Sequence, residues 1–145
     1  MSRGALGRWI GIALAGTVAP LLMRPSDPGP LVATVAGTIL QAIGVVLITA
    51  AMLSLRRSFG IVAAHRGIQT GGMYRLVRHP LYGAELTMQL GFVLGSPSAR
   101  NVALWLLAIV LQTLRARTEE RFLSADPAYG AYLGRVRHRF VPGVI

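Results

Sequence analysis

The sequence contains no cysteine and no lysine, and only five of its 145 residues are acidic. Without cysteine there is no disulfide framework, no thiolate nucleophile and no thiolate metal site. Charge as a whole is scarce: 14% of the residues carry it, against about a quarter in an ordinary soluble domain. So few charges could hardly cover a water-exposed surface of this size, whereas a lipid-facing surface removes the demand. The absence of lysine beside abundant arginine, alanine, glycine and valine suggests a GC-rich bacterial gene.

What the chain has is apolar bulk, 53% of its residues, and arginine. Its length is that of one domain, with no second folding unit expected. The formal charge of +10 would suit a nucleic-acid binder, but its placement argues otherwise. All fifteen basic residues are arginine, clustered at the ends of apolar runs and not along one polar face. That is the pattern of membrane orientation.

Four apolar segments stand out: Trp9 to Met23, the uncharged stretch between Asp27 and Arg56, Pro80 to Gly95 broken only by Glu85, and Asn101 to Leu114. The second exceeds the roughly 20 residues a span needs. The other three are short, which snorkelling arginines and local thinning of the bilayer tolerate. The expectation is an all-α membrane bundle of about four transmembrane helices with cytosolic C-terminal helices. A soluble bundle would need polar outer faces at helical period, and the second and fourth segments read as apolar all round.

Orientation follows from the arginines. Arg24 and Arg100 fall in the two short loops of one side, and the other thirteen fall on the opposite side. The positive-inside rule therefore puts both termini and the long middle loop in the cytosol, at a bacterial inner membrane. The first span reads as a permanent helix and not a cleaved signal. The two external loops, Pro25 to Pro30 and Ser96 to Ala99, are tight and leave no room for a site. Small-residue pairs, Gly91 with Gly95 and Gly7 with Gly11, suit close helix packing.

The side chains able to do chemistry gather in the two cytosolic segments. In Thr70-Gly71-Gly72-Met73-Tyr74-Arg75-Leu76-Val77-Arg78-His79-Pro80-Leu81-Tyr82 a glycine turn is followed by two arginines, a histidine and two tyrosines, where a helix enters the membrane. Proline suits the first turn of that helix, and free N–H groups there favour an anion such as a carboxylate. The same pattern also fits a basic patch that anchors lipid headgroups. The second cluster is Arg115-Ala116-Arg117-Thr118-Glu119-Glu120-Arg121. Arg115 and Glu119 share a helix face, and the paired acids suit a cationic ligand group. Inside the third span, Glu85 with Gln89 one turn on is either a site or an interhelical hydrogen bond. His65 and His138 have no partners at metal spacing and read as interface residues, with no metal expected.

The order Gly-x-Tyr-Arg-x-x-Arg-His-Pro-x-Tyr, then Arg-x-x-x-Glu-Glu-x-x-Leu, then Tyr-x-x-Tyr resembles the isoprenylcysteine carboxyl methyltransferases and the related phospholipid methyltransferases. In this chain it runs from Gly72 through Tyr82, from Arg115 to Leu123, through Tyr129 and Tyr132, and into the closing Arg-Phe-Val-Pro-Gly-Val-Ile. The resemblance begins at about Arg66. It implies one domain, with an N-terminal helical hairpin over about 1–58 and a cofactor-binding catalytic core over about 59–145.

By the resemblance, the cofactor is S-adenosylmethionine, contacted by Arg66, Gly67, Ile68, Gln69, Tyr74, His79, Pro80, Leu81, Tyr82, Glu119 and Glu120. Arg115 falls where the family holds the methyl acceptor, Arg75 or Arg78 could be a second clamp, and Glu85 is a further acceptor-binding candidate. The implied acceptor is an amphiphile, a carboxylate on an isoprenoid-like or fatty chain or else a lipid amine; membrane lipids are the other partners, and nucleic acid is not one. One departure is Asp126-Pro127, where the family often has Phe-Gly. Two alternatives remain: an NADPH-dependent reductase, since membrane sterol reductases have a loosely similar C-terminal half, and a non-catalytic lipid-binding scaffold.

Overall fold

The computed structural model describes residues 3–55 and 69–143. Among these there are five α-helices and no strand: α1 (Arg3–Val18), α2 (Leu31–Leu55), α3 (Pro80–Gly95), α4 (Ala99–Leu123) and α5 (Pro127–Arg135). The third apolar segment and α3 coincide, because Pro80 supplies the first turn and Ser96-Pro97 ends the helix. The first helix begins before Trp9 and stops at Val18. Pro20, which cannot donate to a helix ladder, instead sits in a 3-10 turn, Ala19–Leu22. The fourth runs nine residues past Leu114, since charge ends an apolar run without ending a helix. Arginine and glutamate are both good helix formers.

One of these helices, Leu31–Leu55, is long and apolar enough to cross a membrane. Its buried residues are Gly37, Gly44 and Ala51, spaced by sevens. Large apolar side chains such as Val32, Ile39, Ile43 and Val46 point away from the protein. An apolar surface of that extent belongs in lipid. Helices α1 and α3 have 16 residues each, and α4 carries arginines and glutamates in its last three turns.

The buried stripe of α2 lies against α3 in antiparallel fashion. A Cβ on Gly37 would fall 2.5 Å from the carbonyl oxygen of Gly91, and one on Gly44 would fall 2.6–2.8 Å from Met88. The backbones themselves are in contact, so any side chain at these positions would push the pair apart. Gly91 and Gly95 both lie at this contact, a Cβ on Gly91 falling 2.5 Å from the Gly37 carbonyl oxygen and one on Gly37 falling 2.9 Å from Gly95 N, whereas a Cβ on Gly7 or Gly11 would meet nothing within 4 Å. The main partners are α2 with α3 and α1 with α4. The glycine stripe thus directs α2 to α3.

At the end of the bundle where α3 turns into α4, Asn101 is completely buried and ties both short loops together. Its Nδ2 donates to the carbonyls of Arg24 (2.9 Å) and Ser96 (2.8 Å), and its Oδ1 accepts from Arg24 N. Ser98 caps α4 by accepting from Asn101 N. Trp105 Nε1 donates to the Leu86 carbonyl at 3.1 Å, fixing α4 against α3.

Candidate active site

At the opposite end, α2 finishes, α3 begins and the last turns of α4 stand beside the start of α3. Gly72 adopts a left-handed φ of +57°, which turns the chain into the short 3-10 helix Gly72–Arg75. Ser54, near the end of α2, receives the Met73 N–H at 3.2 Å and holds that turn. Tyr132 donates to the Tyr74 carbonyl at 2.7 Å, pinning α5 to the same turn. The Tyr-x-x-Tyr pair is thus a structural clasp: Tyr129 and Tyr132 are buried, with Val136, at the centre of a small apolar cluster. Burial pushes the Tyr132 hydroxyl up to about 12, with Arg78 opposing and Glu120 adding to the rise. Asp126-Pro127 starts α5, Asp126 accepting from Ala128 N and Pro127 occupying the first turn.

After α5 the chain returns along the entrance to α3. Arg78 N donates to the His138 carbonyl and His79 N to the Arg139 carbonyl, at 2.9 and 2.8 Å. This brings Phe140 over His79, with ring centroids 6.2 Å apart. His79 occupies the buried N-cap position of α3 without a side-chain capping bond, and its ring stacks on Tyr82 at 5.4 Å with 5° between the planes.

The adjacent acids of α4 have separate surroundings. Successive helix residues are turned by about 100°, so Glu119 and Glu120 face different partners. Glu120 holds the returning chain: Arg139 reaches both its oxygens at 3.0–3.1 Å, and Arg78 reaches Oε1 at 3.3 Å. His79 Nε2 lies 3.4 Å from that same oxygen. Burial alone would raise the Glu120 carboxyl, but His79 and Arg139 outweigh it through hydrogen bonding and charge and hold it at about 2. Arg78 also donates from Nε to the Val136 carbonyl at 2.8 Å.

Glu119 faces the aromatic wall. It accepts from the Tyr82 hydroxyl, lies 3.7 Å from His79 Nδ1 and stands 3.4 Å from Arg115 Nε one turn back. The Arg115 guanidinium covers the Tyr82 ring at 4.9 Å, and its Nε is buried without a hydrogen-bond partner. The result is a carboxylate, two stacked rings and an incompletely satisfied guanidinium within a few ångströms of one another.

The remaining expected residues are placed as follows. Arg66, Gly67, Ile68 and His65 lie outside the described residues. Gln69 lines an open recess of about 460 Å³ with Leu53, Ser54, Gly71 and Gly72. Pro80 is buried in the first turn of α3 and Leu81 is half-buried beside it. Tyr74 is half-buried, and burial, with Glu119 nearby, pushes its hydroxyl up. Arg75 is exposed on the 3-10 turn, with no ion-pair partner among the described residues. Glu85 lies deeper along α3 and accepts from Gln112 of α4. Arg139, Phe140 and Gln112 are the residues that sequence reasoning missed. Gln112 left a signal, an amide within a stretch otherwise read as apolar all round; Arg139 and Phe140 were visible only as members of the closing segment.

The arrangement contains no covalent nucleophile in a triad and, among the described residues, no three potential metal ligands together. What it offers is a cation-tolerant wall with an acid and an arginine at its edge. The chain belongs to the phospholipid methyltransferase family, which it matches over residues 32–131. It is thus a membrane protein of a methyltransferase family, and the match favours neither the reductase nor the non-catalytic scaffold. A comparison with curated protein sequences found no match.

Proposed function

We propose that the protein transfers the methyl group of S-adenosylmethionine to an amphiphilic acceptor at the cytosolic face of a membrane. In this reading α1 to α4 cross the bilayer, both chain ends lie in the cytosol, and the membrane is a bacterial inner membrane. The observation that carries it is the partition of the two acids, in which Glu120 is occupied by Arg78 and Arg139 while Glu119 stands at the aromatic wall.

The residues present fit the cofactor on chemical grounds. Glu119 would hold its ammonium group, and the faces of His79 and Tyr82 tolerate a sulfonium beside them. The first turn of α3 would receive its carboxylate. When bound, S-adenosylmethionine supplies a methyl group on a cationic sulfur, and transfer to a carboxylate oxygen cancels both charges with no proton to place. The protein's own work is then alignment and exclusion of water. Arg115, whose Nε is ion-paired with Glu119, would hold a carboxylate acceptor through its terminal N–H groups. Phe140 and the returning C-terminal segment cover the His79 side from water.

Calorimetry with S-adenosylhomocysteine tests this reading. Binding to the purified protein, weakened about tenfold or more by Glu119→Ala and by His79→Ala, is expected. Absence of binding to the wild-type protein would refute it.

A further inference from the structure

The arginines at the end of the bundle that holds the Tyr82–Glu119 group fall into two sets. Arg78, Arg115 and Arg139 turn inward, and each meets a carboxylate of α4. Arg117 and Arg121, also on α4, are exposed and have no ion-pair partner among the described residues. Arg117 follows Arg115 by two residues, a rotation of about 200° that carries it to the opposite side of the helix. Glu119 and Glu120 are occupied by the inward set, so neither acid neutralises the outward pair.

The outward pair continues an exposed apolar stripe. Ala103, Leu107, Val110 and Leu114 are exposed and follow one another by four, three and four residues, and Arg117 and Arg121 extend the series by three and four. That alternation keeps them on one helix face. Along this face hydrocarbon gives way to guanidinium between Leu114 and Arg117, over about 4.5 Å of helix. So abrupt a change marks the edge of the bilayer's hydrocarbon, and the layer directly outside it holds the lipid phosphates. Phe122, exposed beside Arg121, suits that layer better than open water.

We infer that Arg117 and Arg121 form a docking surface for the phosphate of an anionic lipid in the leaflet on this side. The two guanidinia stand one helical turn apart, so both can donate to one phosphate, each through paired N–H groups. Charge selects among lipids. A zwitterionic lipid brings its own cation to the phosphate, whereas an anionic lipid leaves that charge to the arginines. The stripe from Ala103 to Leu114 takes the acyl chains, which a soluble phosphate lacks. The inference rests on the reading in which α4 crosses the bilayer, and it concerns the outer face of that helix, not the methyl-transfer site.

The test uses the full chain in nanodiscs of phosphatidylglycerol and phosphatidylcholine in equal amounts, with native mass spectrometry counting the lipids that stay bound. Phosphatidylglycerol is expected to be retained about tenfold over phosphatidylcholine, and Arg117→Gln with Arg121→Gln to bring the ratio to within about twofold of unity. Arg135→Gln with Arg137→Gln, the same loss of charge off α4, is expected to leave the preference in place. No preference in the wild-type protein, a preference that survives the Arg117 and Arg121 changes, or equal loss from both double variants overturns the inference. Displacement of the lipid by inorganic phosphate, beyond that by chloride at equal ionic strength, assigns the pair to a soluble anion and overturns it too. The crossing of α4 is measured separately in the same discs. The chain has no cysteine, so Val110→Cys and Ala125→Cys can each be probed with a water-soluble maleimide. Labelling of Val110→Cys as fast as Ala125→Cys contradicts the crossing, whereas a protected Val110→Cys without lipid preference keeps the crossing and refutes the docking surface.

Discussion

The Tyr82 hydroxyl donates to Glu119 across the seam between α3 and α4, while the same ring stacks on His79 and lies under Arg115. One side chain thus fixes the orientation of the acid, the imidazole and the guanidinium. Tyr82→Phe keeps both ring contacts and loses only the hydrogen bond. Its expected effect is a several-fold weakening of S-adenosylhomocysteine binding with little change in melting temperature. Glu119→Gln, which keeps the shape and removes the charge, should weaken binding by more than Tyr82→Phe does. Calorimetry on the two variants ranks them.

Glu120 is expected to behave as a structural residue. Glu120→Gln leaves Arg78 and Arg139 without their anion and should lower stability by roughly 1.5–3 kcal/mol. Thermal unfolding in detergent measures it, and the same change at Glu119 should cost clearly less. If Glu119→Gln proves the more destabilising, the division between the two acids is wrong.

The Glu120 carboxyl is held at about 2, below its ordinary value of 4.5. A depressed carboxyl stabilises the fold above its unfolded pKa and loses that contribution as pH falls through the folded one. Melting temperature should therefore drop as pH is lowered from about 4.5 toward about 2. The Glu120→Gln variant should show a flatter profile over this window. Identical profiles for the two proteins would contradict the assignment.

The glycine stripe gives a sharper packing test. Gly44→Ala places a methyl group 2.6 Å from Met88 Cβ and 2.7–2.8 Å from its Cα and N, and these backbone atoms cannot move as the end of a side chain would. It should destabilise by about 1–3 kcal/mol or more. Gly95→Ala meets nothing within 4 Å and should fall within about 0.5 kcal/mol of wild type. Unfolding of both variants in detergent separates the two cases.

Much of this was legible in the sequence, for identifiable reasons. Pro80 and Ser96-Pro97 marked both ends of α3, and the spacing of Arg115 and Glu119 placed them on one helix face. The pairing of α2 with α3 was not legible, because Gly37, Gly44 and Ala51 form a stripe only once the partner that needs it is known. The separate duties of Glu119 and Glu120 were hidden for a similar reason. Adjacent acids look equivalent until Arg139, nineteen residues further on, returns to claim one of them. Gln112 was overlooked because one amide in an apolar run barely alters its average.

The most direct measurement is transfer of radiolabelled methyl from S-adenosylmethionine into the organic-extractable fraction of membranes containing the protein. Label in that fraction, at least about tenfold lower with Glu119→Ala at equal protein level, is the predicted result. Label no higher than in membranes lacking the protein, across isoprenoid, fatty-acid and amine-bearing lipid acceptors, would contradict it.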